Sequence, residues 1–146
     1  MRALVLGTII ALCLCGVAIA DDAGPPAATA TLNITVRNIS SAGGKLLLGV
    51  YDETNFAMKG GVPVAHKSTN VRGDRQTVTF EDIPPGVYAV KALQDINMNG
   101  QFDMGVKGIE PFGFSGYPEI KGGLPPFADV KFTVTAGDNS IDITLH

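Results

Sequence analysis

The 146-residue sequence has little of the chemistry on which many enzymes and small secreted domains depend. It contains two cysteines, two histidines and no tryptophan. Cys13 and Cys15 both lie in an apolar segment near the start, and the sequence after them excludes a disulfide framework, a thiol nucleophile and a thiolate metal site. A catalytic dyad or triad requires a positioned histidine. His66 has no neighbouring nucleophile, and His146, the last residue, is expected to be frayed.

Local clusters of one charge are also scarce. The chain has 11 Lys and Arg residues against 14 Asp and Glu residues, a formal net charge of −3. Because no basic cluster occurs, the sequence argues against nucleic acid and anionic lipid as partners. No long repeat and no heptad pattern occurs, which argues against a solenoid or a coiled coil.

The first twenty residues have the pattern of a secretory signal peptide. Arg2 supplies a positive charge, residues 3–17 are apolar, and residues 18–20 form a small-x-small cleavage site. The apolar run is too short for a stable membrane span, which favours cleavage over a retained anchor. Lipidation of Cys15 would require a small residue before it, and Leu14 stands there, which argues against a lipid anchor. We therefore expect a periplasmic or secreted protein that is not inserted in a membrane after cleavage.

The remaining chain divides into a leader and one domain. Residues 21–30 are acidic and rich in Pro and Ala, which predicts a disordered leader. Residues 31–146 contain short segments in which apolar and polar residues alternate, the period of half-buried strands. About seven such strands, with almost no helical period, predict an all-β fold. We expect a single antiparallel β-sandwich of the immunoglobulin-like or transthyretin-like Greek-key type.

Turn signals give the expected connections. Residues 40–44 are predicted to close a hairpin between the first two strands, the second of which runs from Lys45 to Tyr51, and Pro84-Pro85-Gly86 to close a central hairpin. Residues 136–139 are predicted to form a further turn. Residues 55–59 are predicted to form one helical turn, and Pro63 confines residues 62–67 to an edge strand. Gly105 to Pro126 has no period but contains three aromatics, which favours a functional loop over disorder.

The segment after the central hairpin has the spacing of a calcium loop. Asp95-x-Asn97-x-Asn99-Gly-Gln101-x-Asp103 places oxygen ligands at alternate positions around a glycine, with Gln101 contributing its carbonyl. Val106 stands where a bidentate Glu is expected, so a further ligand must come from elsewhere, with Asp52, Asp82 and Glu110 as candidates. Having two loop carboxylates, the site would bind Ca²⁺ weakly, at about 0.1–1 mM.

The alternative interpretation of this segment is an Asn-Gly turn. In such a turn, Asx side chains bond their own backbone instead of an ion.

The irregular loop presents a candidate binding surface. Phe112, Phe114 and Tyr117 stand between glycines and could stack on sugar rings or on a peptide. The alternative is that these rings fold back and cover an open end of the sandwich core.

The sequence also contains residues of the types used in two other kinds of site, a glycosidase carboxylate pair and a methionine copper site. The carboxylates at Glu81 and Asp82, or in the Asp95 loop, could form a glycosidase pair, but this requires a cleft that a small sandwich rarely builds. Met58, Met98 and Met104 could bind copper, although packing or exposure is the usual role of scattered methionines.

The residues also resemble a known family. Phe80 to Val90, Asp95 to Asp103, Glu110 to Ser115 and Pro125 to Asp129, in this order and spacing, are similar to family 2141 of the domains of unknown function, which are exported bacterial domains. The resemblance covers nearly all of the chain after residue 31 and implies a β-sandwich without an established activity. Phe80 to Val90 is also similar to transthyretin-like and carboxypeptidase-regulatory-like sandwiches, which are mostly accessory or ligand-holding modules.

Together these observations predict an exported, non-enzymatic β-sandwich module. We expect it to be stabilised by Ca²⁺ and to bind an unidentified protein or glycan partner through the loop from Gly105 to Pro126. The alternative is a structural envelope or matrix component without a ligand, and the third is a hydrolase acting on glycans.

Overall fold

The computed structural model describes residues 28–101, 110–116 and 123–146, which form two β-sheets. The eight strands of these residues are β1 (Ala30–Arg37), β2 (Lys45–Tyr51), β3 (Ala65–Asn70), β4 (Arg75–Ile83), β5 (Gly86–Asp95), β6 (Phe112–Phe114), β7 (Phe132–Val134) and β8 (Gly137–Thr144). Two four-residue helices, α1 (Glu53–Phe56) and α2 (Phe127–Val130), lie between strands. The predicted all-β sandwich is confirmed.

The predicted signal peptide and most of the predicted leader lie outside the described residues. Strand β1 begins at Ala30, the last residue assigned to the leader, and its side chain is buried. Within the described ranges, no helix is long and apolar enough to cross a membrane.

The first sheet has three strands in the order β4-β1-β8. Strand β1 pairs antiparallel with β4 and parallel with β8, so that Ile34 lies between Val78 and Ile141. The other strand pairs of the described chain are antiparallel. The departure from a purely antiparallel sandwich is therefore confined to the pairing of the first strand with the last.

Strand β1 shows why this sheet has one buried and one wet face. Its apolar residues recur every second position and point to the core, where Leu32, Ile34 and Val36 are fully buried. On the opposite face, the hydroxyls of Thr35 and Thr77 bond each other at 3.0 Å, and Thr79 donates to Asn33 Oδ1 at 2.7 Å. The outer face of the three-stranded sheet is thus a polar ladder.

The second sheet is built around β5. Strand order is β3-β2-β5-β6, and β7 also pairs with β5. One edge of β5 pairs with β2 from Ala89 to Asp95, and the other edge pairs with β7 at residues 86–88 and β6 at residues 91–93. The inner faces of the two sheets enclose the main core, to which β2 contributes Leu46, Leu48 and Val50.

The two predicted hairpins were wrong, because both turns carry the chain from one sheet to the other. Residues 40–44 connect β1 to β2, and Pro84-Pro85 connects β4 to β5, in each case between strands of different sheets. Two consecutive strands that each have one apolar face can lie side by side in one sheet or opposite each other in two facing sheets. Here the consecutive strands lie in facing sheets, and their apolar faces meet in the core between them. The Tyr88 hydroxyl, which donates to the Pro84 carbonyl at 2.9 Å, holds the second crossing.

Other boundaries differ by a few residues. The predicted helical turn at residues 55–59 lies at Glu53–Phe56, because Asp52 caps it and accepts from Asn55 N at 2.8 Å. The predicted edge strand runs from Ala65 to Asn70 instead of from residue 62. The predicted turn at residues 136–139 overlaps β8, which begins at Gly137.

The predicted irregular segment, residues 105–126, contains β6, whose central glycine explains its sequence. A Cβ at Gly113 would lie 2.3 Å from the carbonyl oxygen of Thr144 and 3.0 Å from Ile143 Cγ2, both near the end of β8. His146, expected to be frayed, exchanges backbone hydrogen bonds with Phe112. Glycine is therefore required on the inner side of β6, while the two phenylalanines face outward.

We expect Gly113→Ala to lower the free energy of unfolding by about 1–3 kcal/mol, as overpacked positions do. The new methyl group would displace backbone of β8, which cannot rotate away. Chemical denaturation of the wild type and the variant measures the difference.

The control is Gly43→Ala, because a Cβ there meets nothing within 4 Å and the cost comes from its φ of 80°. That cost is about 1–2 kcal/mol. An unchanged denaturation midpoint for Gly113→Ala would contradict the close approach of β6 and β8.

Candidate functional site

The loop that follows β5 is organised by a buried carboxylate. Asp95, the last residue of β5, is 1% exposed, and its two oxygens accept from Asn99 N at 3.1 Å and Gly100 N at 2.8 Å. Two residues of the loop have positive φ, Met98 at 60° and Gly100 at 75°, which lets the backbone curl around that carboxylate. Asp95 thus fixes the turn from inside.

The two asparagines of the loop also bond its backbone. Asn97 Oδ1 accepts from Asn99 N at 3.0 Å, and Asn99 Oδ1 accepts from Gln101 N at 2.8 Å. These are the Asx contacts of the alternative interpretation, the Asn-Gly turn. Asp103 lies outside the described residues, and no group of three or more His, Cys, Asp or Glu side chains suited to a metal occurs among those that are described.

The structure distinguishes among the three residues considered as an additional calcium ligand. Glu110 is brought to the loop: it is 4% exposed and accepts from Ile96 N at 2.9 Å. Asp52 instead caps α1, and Asp82 is exposed next to the crossing between the sheets. Two buried carboxylates, Asp95 and Glu110, therefore hold backbone N–H groups of one loop, at residue 96 for Glu110 and at residues 99 and 100 for Asp95. Calcium binding at this loop stays a prediction.

Of the three rings of the predicted aromatic surface, two belong to residues that the structure describes and one does not. Phe112 and Phe114 pair with Leu93 and Lys91 of β5 and lie on the outer face of the five-stranded sheet. Phe114 is 7% exposed and makes edge-to-face contacts with Phe56 and Phe112, whereas Phe112 is half-buried. Tyr117 lies outside the described residues.

Phe114 belongs to a second apolar cluster, on the outer face of the same sheet, that the sequence reasoning missed. Its buried members are Phe56 from α1, Ala89 from β5, Phe114 from β6 and Val130 from α2. Tyr51, Phe112 and Phe127 pack against them. The sequence signal that could have revealed this cluster was an apolar residue in each of the two short helical segments. Both segments lie next to strands whose outer faces are apolar.

Ser115 joins this cluster to the sheet. Its side chain is 1% exposed, accepts from Val90 N at 2.9 Å and donates to the Val130 carbonyl at 2.6 Å. One buried hydroxyl therefore satisfies a backbone group of β5 and one of α2.

Lys91 sits on the outer face with its amino group held in place. Its Nζ donates to the Phe56 carbonyl at 2.7 Å and lies 4.4 Å and 4.7 Å from the ring centroids of Tyr51 and Phe56. Such positions over ring faces are favourable for a cation. Burial lowers the pKa of Lys91 and raises the pKa of the Tyr51 hydroxyl, because it disfavours the charged form of each group.

Beside Lys91 the outer face forms a cavity of about 660 Å³, here called the outer-face cavity. Strands β2, β3, β5 and β6 all contribute to its lining. Its apolar lining residues include Leu47, Leu93, Phe112, Phe114 and Leu124, and its polar ones include His66, Ser68 and Lys91. Concave, mostly apolar sites of this size with a few polar groups are typical of ligand binding.

A family model described as "Uncharacterized protein conserved in bacteria (DUF2141)" matches residues 34–142. The chain belongs to this family. The DUF2141 match extends from within β1 to within β8, so it includes the Asp95 loop, β6 and α2, and it confirms the resemblance to family 2141 found in the sequence. A search of curated proteins and a search of solved structures each found no match. Family membership thus supports the bacterial assignment and leaves the activity to be inferred from the site.

We expect Ser115→Ala to lower the free energy of unfolding by about 1–3 kcal/mol, the cost of leaving a buried polar group unpaired. Removing the hydroxyl leaves Val90 N and the Val130 carbonyl without this partner. Thermal and chemical denaturation of this DUF2141 member would measure the change.

Ser68→Ala is the matched control, since Ser68 is exposed on β3. Equal stabilities of the two variants would contradict the role assigned to Ser115.

Proposed function

We propose that this protein is an exported, non-enzymatic β-sandwich module that binds a partner at the outer face of its five-stranded sheet. The observation that carries the proposal is the difference between the two outer faces. The three-stranded sheet presents a ladder of Thr and Asn side chains and the exposed ion pair of Arg37 with Asp142. The five-stranded sheet presents the apolar outer-face cavity.

Exposed apolar concavities of this kind mark sites of interaction, because leaving apolar surface in water is unfavourable. Phe112 and Leu124 stand at the cavity, and Leu124 is 47% exposed. The burial of Phe114 supports a packing role for that ring, so Phe112 is the better candidate for contact with a partner. Mostly apolar walls favour binding over general acid–base catalysis, which uses paired titratable groups.

Export is supported by the sequence of residues 1–20, with its positive charge, apolar run and small-x-small cleavage site. The absence of cysteine after residue 20 is compatible with an oxidising compartment, because no thiol is available there for mispairing. The alternative, a structural envelope component without a ligand, would leave the outer-face cavity without a use.

A photo-crosslinking experiment tests the partner-binding face. With p-benzoylphenylalanine in place of Leu124 and expression in the native bacterium, we expect a covalent adduct on illumination. The same amino acid in place of Val62 is the control, because Val62 is 71% exposed and does not line the cavity. Adducts from position 124 and none from position 62 support the proposal. No adduct at position 124, or the same adducts from both positions, would favour the structural alternative.

Calcium at the Asp95 loop is the second part of the proposal. It is supported by two buried carboxylates, Asp95 and Glu110, that both accept hydrogen bonds from backbone N–H groups of this loop. Among the described residues the one ion pair is that of Arg37 with Asp142, so Asp95 has backbone N–H groups and no described cationic side chain to offset its charge. Each carboxylate oxygen of Asp95 has a second lone pair with which it can also bind a cation. Ca²⁺ binding would hold the start of the segment that leads to β6.

Calorimetric titration of Ca²⁺ into EGTA-treated protein checks this, with an expected Kd of about 0.1–1 mM. At 10 mM Ca²⁺ the free energy of unfolding should rise by about 1.4–2.7 kcal/mol. Asp95→Asn keeps an acceptor oxygen and removes the charge, so it should weaken binding about tenfold or more. Asp82→Asn changes an exposed carboxylate outside the loop and should bind as the wild type does. Absence of both heat and stabilisation in the wild type would refute the calcium site.

A further inference from the structure

The lining of the outer-face cavity narrows the class of molecule that can fill it. Its volume of about 660 Å³ lies within the range of small-molecule sites, and Leu47, Leu93, Phe112 and Leu124 give it apolar walls. A site with such walls gains most from a ligand that brings apolar surface with it, because burying apolar surface is favourable.

The charged side chains among the described lining residues of the cavity are of one sign. Lys91 belongs to the lining, and among the described lining residues there is no Asp or Glu. The Lys91 ammonium has three N–H donors, of which one bonds the Phe56 carbonyl, and the rings of Tyr51 and Phe56 hold the group in place. An anion at the cavity would therefore meet a pre-positioned cation.

The other basic lining residues differ in how far they can contribute. Lys67 donates to the Thr79 carbonyl of the opposite sheet and lies 5.5 Å from the Phe80 ring centroid, so it is already engaged. His66 is exposed on β3, at the side of the cavity away from β6. Lys91 is thus the cation around which a ligand would be oriented.

Burial lowers the pKa of Lys91, which means that the cation is held in a site that disfavours charge. An anionic group placed beside the Lys91 ammonium would raise the pKa of Lys91 again. That group would itself be desolvated next to a charge of opposite sign. A purely apolar molecule would not use this arrangement.

We propose that the outer-face cavity binds a monomeric single-chain amphiphile with an anionic head group, of the chemical class of a medium-chain carboxylate. The head group lies at Lys91, and the chain runs along Leu47, Leu93 and Phe112. This inference rests on the proposed function, because it names the class of partner for the same face.

Two other occupants fit the same observations less well. A sugar chain would need many polar partners, and the walls are mostly apolar. A peptide that extends the sheet would pair with a free strand edge such as that of β3, and it would leave unfilled the part of the cavity over β2 and β5, which are paired on both edges. Charge and apolar lining together therefore favour the amphiphile.

Titration calorimetry with decanoate and with decanol, both as monomers, separates the head group from the chain. We expect decanoate to bind at least tenfold more tightly than decanol to the wild type. Lys91→Met should weaken decanoate binding about tenfold to a hundredfold, the value of a hydrogen bond to a charged group, and leave decanol binding unchanged. Lys91→Arg should keep the preference, and Val62→Ala should bind both as the wild type does.

Because Lys91 also bonds α1, the melting temperature of each variant is measured alongside. If Lys91→Met does not fold, Leu47→Glu provides the test, since it adds a negative charge to a half-buried position of the cavity and should abolish decanoate binding.

Equal affinities for decanoate and decanol, or no binding of either, would overturn the inference. So would binding to phosphatidylglycerol vesicles in place of decanoate, which would assign the face to a membrane surface. Dimerisation that Leu47→Glu abolishes and decanoate does not affect would assign it to a second copy of the chain. In each of these cases an adduct from position 124 would still support the proposed partner-binding face, so the two failures are distinguishable.

Discussion

Strand β5 is apolar on both faces, and the rest of the structure depends on covering both of them. Its inner face places Tyr88, Val90 and Ala92 in the main core between the sheets. Its outer face places Ala89 under a second cluster, which α1, β6 and α2 complete. A strand that is buried on two sides cannot stand at the surface of a two-layer sandwich. The short helices and β6 therefore serve as a partial third layer.

That third layer covers only part of the outer face. Phe56 and Val130 close it near Ala89, while the surface around Leu47 and Leu93 remains accessible as the outer-face cavity. Strand β5 therefore lies beneath both the covered part and the accessible part of the outer face. A fixed cation, Lys91, lies at the boundary between them, bonded to the helix on one side and lining the cavity on the other.

A buried polar side chain ties β5 to the first crossing between the sheets. Gln94 is fully buried; its Nε2 donates to the carbonyls of Ser40 and Gly43, and its Oε1 accepts from Ser40 N at 2.8 Å. Buried amides of this kind are stable when all their hydrogen bonds are made, and they then specify one arrangement. The turn at residues 40–44 is consequently fixed by a residue more than fifty positions away, which local turn propensities cannot report.

The sequence was a good guide to strands and a poor guide to their partners. Lys45 to Tyr51 has the predicted boundaries, since its apolar run leaves little choice. The predicted pairing of β1 with β2 was wrong, because alternation shows that a strand has an apolar face and does not show which strands lie beside it in the sheet. In the candidate site, the spacing of Asp95, Asn97 and Asn99 predicted a shared loop, and Glu110 was among the residues expected to join it. The role of Lys91 could not be predicted, because it requires the aromatic rings of two other elements to meet above β5.

The parallel pairing of β1 with β8 has a consequence for the order of folding. Asn38, just after β1, donates from Nδ2 to the carbonyl of Leu145 at 2.6 Å, a contact between residues 107 positions apart. The three-stranded sheet therefore cannot close until β8 has been synthesised, and contacts over such separations form slowly. A chain that crosses a membrane through a translocon must stay unfolded on the way. For the exported protein that we propose, the late closure of this sheet, which needs both β1 and β8, would favour passage before folding.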